Sequence, residues 1–222
     1  KSDIATSVSD HDQKKIKKLY NINSYVFLNG VHSERLKVKK ITKNIPKNFY
    51  LYSGSYLYQP NKVALDELIN KLYPRIIKKY PNLYLIITGE GLPVELIKNK
   101  KIIHFKYLKK ENLNYLTKKA KFLLLPLKKA PGTMLKIIEA LLIGSQIITT
   151  KHGMKGIKFN NYKQPFVYKD YNQIFKFVDY IMCKNTQNRT SLNKSSNFYR
   201  KEFILENIIK KFQSNNYKYF FK

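Results

Sequence analysis

Residues Phe122 to Ile157, FLLLPLKKAPGTMLKIIEALLIGSQIITTKHGMKGI, read as strand, loop, helix, strand, loop, and this reading decides the fold. FLLLPL is a short apolar run closed by Pro126, and SQIITT is a second, richer in β-branched residues. Between them Leu135–Ile143 is apolar almost all the way round, which predicts a buried helix. Only Lys136 and Glu139 interrupt it, and at i, i+3 they share one face. Gly132 and Thr133 stand where that helix begins, after the loop Lys128-Lys129-Ala130-Pro131.

This arrangement has a chemical reading. A helix N-terminus offers unpaired N–H groups and a partial positive charge, and so attracts phosphate. Gly132 lets an anion approach the backbone, Thr133 adds a hydroxyl, and Lys136 in the first turn adds charge. Glu139, one turn deeper, only accepts hydrogen bonds when ionised, which suits the vicinal hydroxyls of a ribose. The plainer alternative is that Lys136 and Glu139 pair with each other. Burying two charges without a purpose is expensive, so the site is the favoured reading.

GTMLKIIEALLIGSQIITTKHGMKG resembles the G-T-R-x-K-I-L-E-A-L-A-x-G-x-P-V-V-x-T-x-x-G-x-x-G signature of retaining, two-domain (GT-B) glycosyltransferases. That family carries a nucleotide-binding glutamate at the position of Glu139. Three departures stand out: the frequent Arg is Met134, the usual Pro is Gln146, and the first glutamate of the Glu-x7-Glu motif is Pro131. GSYLYQPNKVAL similarly resembles the family's G-S-x-x-Y-x-P-N-x-x-A-L, a loop that lies beneath the sugar-nucleotide diphosphate. This implies donor contacts at Gly54, Ser55, Asn61 and Lys62, although Lys62 reads equally well as an ordinary helix-start lysine. Gly89, in a Gly-x-Gly after a strand, and Tyr107-Leu108, matching the region that holds the nucleotide base, complete the implied donor site. The family's usual Gly before that last pair is Lys106.

The chain's 222 residues, 43% hydrophobic and 14% aromatic, suffice for a sizeable core and one or two domains. A single cysteine, Cys183, excludes an internal disulfide and fits a reducing, cytoplasmic location. No run of 18 apolar residues is present, so no transmembrane helix is expected. The formal net charge of +29 would attract anions of every kind. Its lysines are dispersed, as in KKIKK, KVKK and IIKK, and read mostly as solvated faces; a peripheral membrane contact stays open.

Upstream, Ser2–Val8 reads as a strand, Ser9-x-x-Asp12 starts a helix to about Tyr20, and Ser24–Leu28 is a short strand before the turn Asn29-Gly30. This run resembles the segment closing the family's first, acceptor-binding domain, so residues 1–45 are expected to be that segment plus a linker. Residues 46–222 then form the nucleotide-sugar domain. Strands at Asn48–Ser53, Leu83–Thr88 and Lys101–Phe105 alternate with helices at Ala64–Tyr80 and Glu111–Lys119. The pattern predicts a doubly wound, parallel α/β sheet, Rossmann-like as in the GT-B C-terminal domain. Its carboxyl-end loops are 54–60, 89–92, 106–108, 127–132 and 151–156, where ligands of such sheets bind. Every motif named above falls in one of these loops or on the helix that follows it. Downstream, Pro165–Tyr168 is a minor strand and Tyr171–Met182 an amphipathic helix. Lys184–Asn197 reads as polar and mobile, and Phe198–Phe212 as a last helix crossing back to the first domain. The tail Tyr217–Phe221 reads as packing or as a membrane or partner contact.

The resemblance implies transfer of a sugar from a nucleoside-diphosphate sugar to a hydroxyl of a glycan, lipid or protein acceptor, with retention, no metal and no further cofactor. Lys136 and Glu139 are its candidate catalytic residues. The acceptor domain is expected upstream or on a partner chain, so the chain alone should bind nucleotide sugar without transferring it. Two rivals stand beside this reading. One is a sugar-nucleotide epimerase of the same architecture; the other is a non-catalytic module binding nucleotide sugar or nucleic acid. Nucleic acid is the less expected partner, because the strands read as buried on both sides rather than displaying aromatics.

Overall fold

The computed structural model describes residues 4–97, 99–128, 132–157, 165–183 and 189–220. Two short parallel strands, β1 (Thr6–Ser7) and β2 (Tyr25–Val26), flank α1 (Asp10–Tyr20) and form a small sheet of their own. Ser9 caps α1, its hydroxyl accepting from the Asp12 N–H at 3.1 Å.

The main sheet is six-stranded and parallel throughout. In chain order its strands and helices are β3 (Phe49–Ser53), α2 (Gln59–Glu67), α3 (Tyr73–Lys79), β4 (Tyr84–Thr88), β5 (Ile102–Phe105), α4 (Lys110–Lys119), β6 (Leu123–Leu125), α5 (Leu135–Ile143), β7 (Ile147–Thr150), β8 (Phe166–Tyr168) and α6 (Tyr171–Cys183). The spatial order is β5-β4-β3-β6-β7-β8, so the winding reverses between β3 and β6. Helices α4 and α5 cover one face. The pair α2–α3, joined through one wide turn at Leu68–Leu72, packs beside α6 on the other. Burial on both faces explains why the strands read as continuous apolar runs rather than alternating ones. In β3, Phe49, Tyr50, Leu51 and Tyr52 are all buried, and Tyr50 stacks on Phe122 with ring centroids 5.1 Å apart.

The expected doubly wound parallel sheet is therefore present, with three corrections. β8 is a full sixth strand, paired to β7 from Ile148–Phe166 to Thr150–Tyr168. The helix expected from Ala64 begins at Gln59, because Pro60 suits a first turn whose N–H is unpaired in any case. And much of the stretch read as polar and mobile is helix α7 (Arg189–Phe203); its residues 184–188 lie outside the described ones. Small and apolar residues at helical spacing are what α7 buries: Leu192, Ser195, Ser196, Tyr199 and Phe203. Ser196 donates to the Leu142 carbonyl at 2.7 Å, which docks α7 on α5. The single last helix predicted from Phe198 is thus two, α7 and α8 (Leu205–Phe220), broken where Ile204 pairs with Val31.

Residues 31–45, within the stretch read as closing segment and linker, lie against the main sheet's domain. Val31, Leu36 and Ile41 enter its core, and the buried Asn114 side chain donates to the carbonyls of Arg35 and Lys37 at 2.7 and 2.8 Å. Asn29-Gly30 is more than a turn. A Cβ on Gly30 would stand 2.6 Å from Ile208 Cδ1, so glycine lets α8 pass over this strand end. Farther along α8, Phe212 packs edge-on against Tyr25 and Phe27, at 6.3 and 5.2 Å between centroids. The aromatic tail's side chains lie outside the described residues.

Candidate active site

The carboxyl ends of β3, β4, β6 and β7 converge on the N-terminal end of α5. That helix buries Ile137, Ile138, Ala140, Leu141 and Leu142 and closes on Gly144 in the left-handed conformation. Its N-cap is Met134, which makes no side-chain cap, so the first N–H groups of the helix are left for a ligand. Gly132 has φ +65°, and a Cβ there would meet nothing described within 4 Å. Thr133 lies beside it with its hydroxyl against Gly156 of the following loop. Pro131 lies outside the described residues.

Lys136 and Glu139 do not pair with each other. Lys136 reaches over the end of β3, its ammonium donating to the Ser53 carbonyl at 2.8 Å and to Asn61 Oδ1 at 2.7 Å, 5.1 Å above the centre of the Tyr52 ring. Asn61 is the hub of this cradle. Its Oδ1 also accepts from the Tyr52 hydroxyl at 3.2 Å, while its Nδ2 donates to the Ser55 carbonyl at 2.9 Å. Among the described residues no carboxylate accepts from this ammonium, and burial pushes its pKa down to about 8. A bound anion would supply the missing counter-charge.

Glu139 turns to other cations. Its Oε2 accepts from Lys110 at 2.5 Å, and its Oε1 stands 3.6 Å from the Arg35 guanidinium. Its side chain is 13% exposed, against 32% for Lys110 and 60% for Arg35, so both cations can swing aside. The space bounded by Lys110, Lys136 and Glu139 measures about 20 Å³, room for one water. A larger ligand has to lie over this edge of the sheet.

The remaining candidates sit around this centre. Gly54, at φ +154°, has no room for a side chain: a Cβ would stand 2.7 Å from Asn61 Nδ2 and 2.8 Å from the Lys136 ammonium. Gly89 packs against Gly54's carbonyl and accepts at its own carbonyl from His104 Nε2, 2.7 Å away. Ser55 holds its own loop, its hydroxyl accepting from the Leu57 N–H at 3.2 Å. Lys62 lies 5.7 Å over the Tyr56 ring, away from the Lys136 cradle. Tyr107 is 76% exposed on its loop, while Leu108 packs partly into the core. Lys110, Arg35 and Tyr52 are the parts that sequence reading missed. Arg35 lies 104 positions before Glu139, and no spacing could connect them. Among the described residues there is no group of three or more His, Cys, Asp or Glu side chains able to hold a metal ion, and no helix long and apolar enough to cross a membrane.

A family model described as "Glycosyl transferases group 1" matches residues 47–177. No match was found among curated proteins. Solved structures share the fold at low identity. Sucrose-phosphate synthase from Thermosynechococcus elongatus superposes with a TM-score of 0.76 at 14% identity, over 99% of this chain and 59% of that one. HepE from Anabaena, in complex with UDP and glucose, gives 0.71 at 12%, over 96% and 62%. A glycosyltransferase from Rickettsia africae gives 0.72 at 15%, over 97% and 63%. The chain thus spans less than two thirds of the length of each.

Proposed function

Because the chain belongs to the group 1 glycosyl transferases, we propose that it carries the donor-binding part of a retaining enzyme that moves a sugar from a nucleoside diphosphate to an acceptor hydroxyl. The observation that carries this is the half-buried Lys136 ammonium at the N-terminal end of α5, whose partners among the described residues are neutral acceptors. In the reaction the bond between the sugar carbon and the diphosphate oxygen breaks, a bond from that carbon to the acceptor oxygen forms, and the hydroxyl proton is released. Negative charge therefore grows on the departing diphosphate. Lys136 and the first N–H groups of α5, which have no side-chain cap among the described residues, are preorganised for that charge. Glu139 accepts from the ribose hydroxyls once Lys110 moves aside. HepE, whose structure holds UDP and glucose, supports a ligand of this class. A glycan, lipid or protein acceptor and a domain or partner chain that holds it belong to the same proposal, which requires neither metal nor cofactor.

Glu139→Gln keeps the shape and removes the charge. It should weaken nucleoside-diphosphate binding by about 1.5–3 kcal/mol while leaving inorganic pyrophosphate unaffected, by calorimetry on the folded variant. Equal weakening of both ligands would mean that Glu139 serves the phosphates or the fold instead of the ribose.

A second expectation separates diphosphate recognition from base recognition. UDP should bind far more tightly than uridine, and its affinity should fall with added salt, since part of the attraction acts through screened charge. Equal affinity for nucleoside and diphosphate would sink the role given to α5 and Lys136.

A further inference from the structure

A second cavity opens on the opposite face of the sheet, among α2, the ends of β7 and β8, and the start of α6, with a volume of about 340 Å³. Two buried polar side chains line it. Glu67 is 5% exposed and Tyr168 7%. Among the described residues the Tyr168 hydroxyl has no hydrogen-bond partner, while Glu67 is approached by Lys128 and Tyr171. Lys128 stands 2.6 Å from Glu67 Oε2, so the carboxylate's charge is balanced while its hydrogen-bonding capacity is not used up. The Tyr171 phenol also leans toward it; burial first, then this carboxylate, holds that phenol above its ordinary range. A buried hydroxyl left without a partner destabilises a core, and a ligand hydroxyl in this cavity would complete that of Tyr168. The cavity falls within the roughly 300–1,000 Å³ of small-ligand pockets.

The polarity of the cavity runs from depth to mouth. At depth are an acceptor-only carboxylate and a phenol that both donates and accepts, which match ligand hydroxyls. At the mouth the exposed Lys151 and Lys169 supply positive charge. Asp170 on the same rim is engaged elsewhere, accepting from the Gln173 N–H at 2.9 Å as the cap of α6. We propose that this cavity binds a hydroxyl-rich anion, a sugar bearing a phosphate or a carboxylate, with its hydroxyls on Glu67 and Tyr168 and its charge toward Lys151 and Lys169. The site is separate from the Lys136 cradle and does not rest on the role given to Glu139.

The test uses the whole chain, with glucose 6-phosphate, glucuronate, glucose and inorganic phosphate as probes in calorimetric titration. Glucose 6-phosphate or glucuronate should bind at least about tenfold more tightly than glucose. Tyr168→Phe removes only a hydroxyl that has no partner among the described residues. It should leave thermal stability equal or higher and weaken the charged sugar about fivefold. Glu67→Gln should weaken it about tenfold or more. UDP affinity should be unchanged in both variants, so that failure here and failure of the donor reading are told apart. A glucuronate-terminated disaccharide distinguishes the source: tighter binding than the monosaccharide identifies a residue of a glycan chain, equal binding a free sugar. The proposal is overturned if inorganic phosphate binds as well as glucose 6-phosphate, if no charged sugar binds, or if Tyr168→Phe leaves charged-sugar affinity intact.

Discussion

Replacing Lys136 with methionine should reduce nucleoside-diphosphate affinity by about 100-fold or more, the cost of truncating one partner of a desolvated charge pair, and should at the same time remove a pH dependence from folding stability. The second effect follows from burial, which lowers the ammonium from the ordinary 10.5 to about 8 in the folded chain. Between pH 8 and 10.5 the unfolded state binds more protons than the folded one, so this group makes stability rise with pH. From pH 7 to 10 the parent should gain about 2–3 kcal/mol relative to Lys136→Met, or about 5–10 °C in melting temperature. Groups common to both proteins cancel in the comparison, and Tyr52, pushed up by burial, titrates above this window. Affinity of the parent for diphosphate should hold below pH 8 and decline above it, as the free ammonium loses its proton. A variant that binds UDP within threefold of the parent, or a melting difference that stays flat with pH, would remove Lys136 from the site.

The other large effect is on the scaffold. Gly89 has φ +133°, and a Cβ there would collide with Gly54's carbonyl oxygen and stand 2.8 Å from the Ser55 nitrogen. Both obstacles are backbone, and neither can rotate away. Gly89→Ala therefore combines a strained backbone conformation with overpacking and should destabilise the chain by about 4 kcal/mol. That is about 8–16 °C in melting temperature for a chain of this size. Gly132→Ala is the matched control: φ is again positive, at +65°, but the added methyl meets no described atom within 4 Å. Its cost should be only about 1–2 kcal/mol. Similar melting temperatures for the two variants in thermal denaturation would show that loops 54–58 and 89–91 are not locked together in the way their packing implies.

Several elements were legible because a local pattern carried them. The apolar runs FLLLPL and SQIITT around a helix with only two charges are sufficient to imply a parallel sheet covered on both faces. The strand ends then place Gly54, Gly132, Lys136 and Glu139 along one edge, since ligand loops of such a sheet all leave from its carboxyl side. The first half of α7 was not legible, because before Phe198 its buried face is made of Leu192 and the small Ser195 and Ser196 in an otherwise polar stretch.

What the sequence by itself determined is the order of elements, the parallel architecture and the identity of the residues at its carboxyl edge, because these follow from hydrophobic period and from short motifs. Which partner each charged group takes was decided by tertiary structure. Lys136 and Glu139 share a helix face, yet one reaches Asn61 and Ser53 on the end of β3 and the other reaches Lys110 and Arg35. An ion pair forms between the groups that the fold brings within about 4 Å, and its partners come from segments far apart in the chain. The same holds for Glu67, Lys128 and Tyr168, which no spacing relates and which the winding of the sheet gathers around one cavity.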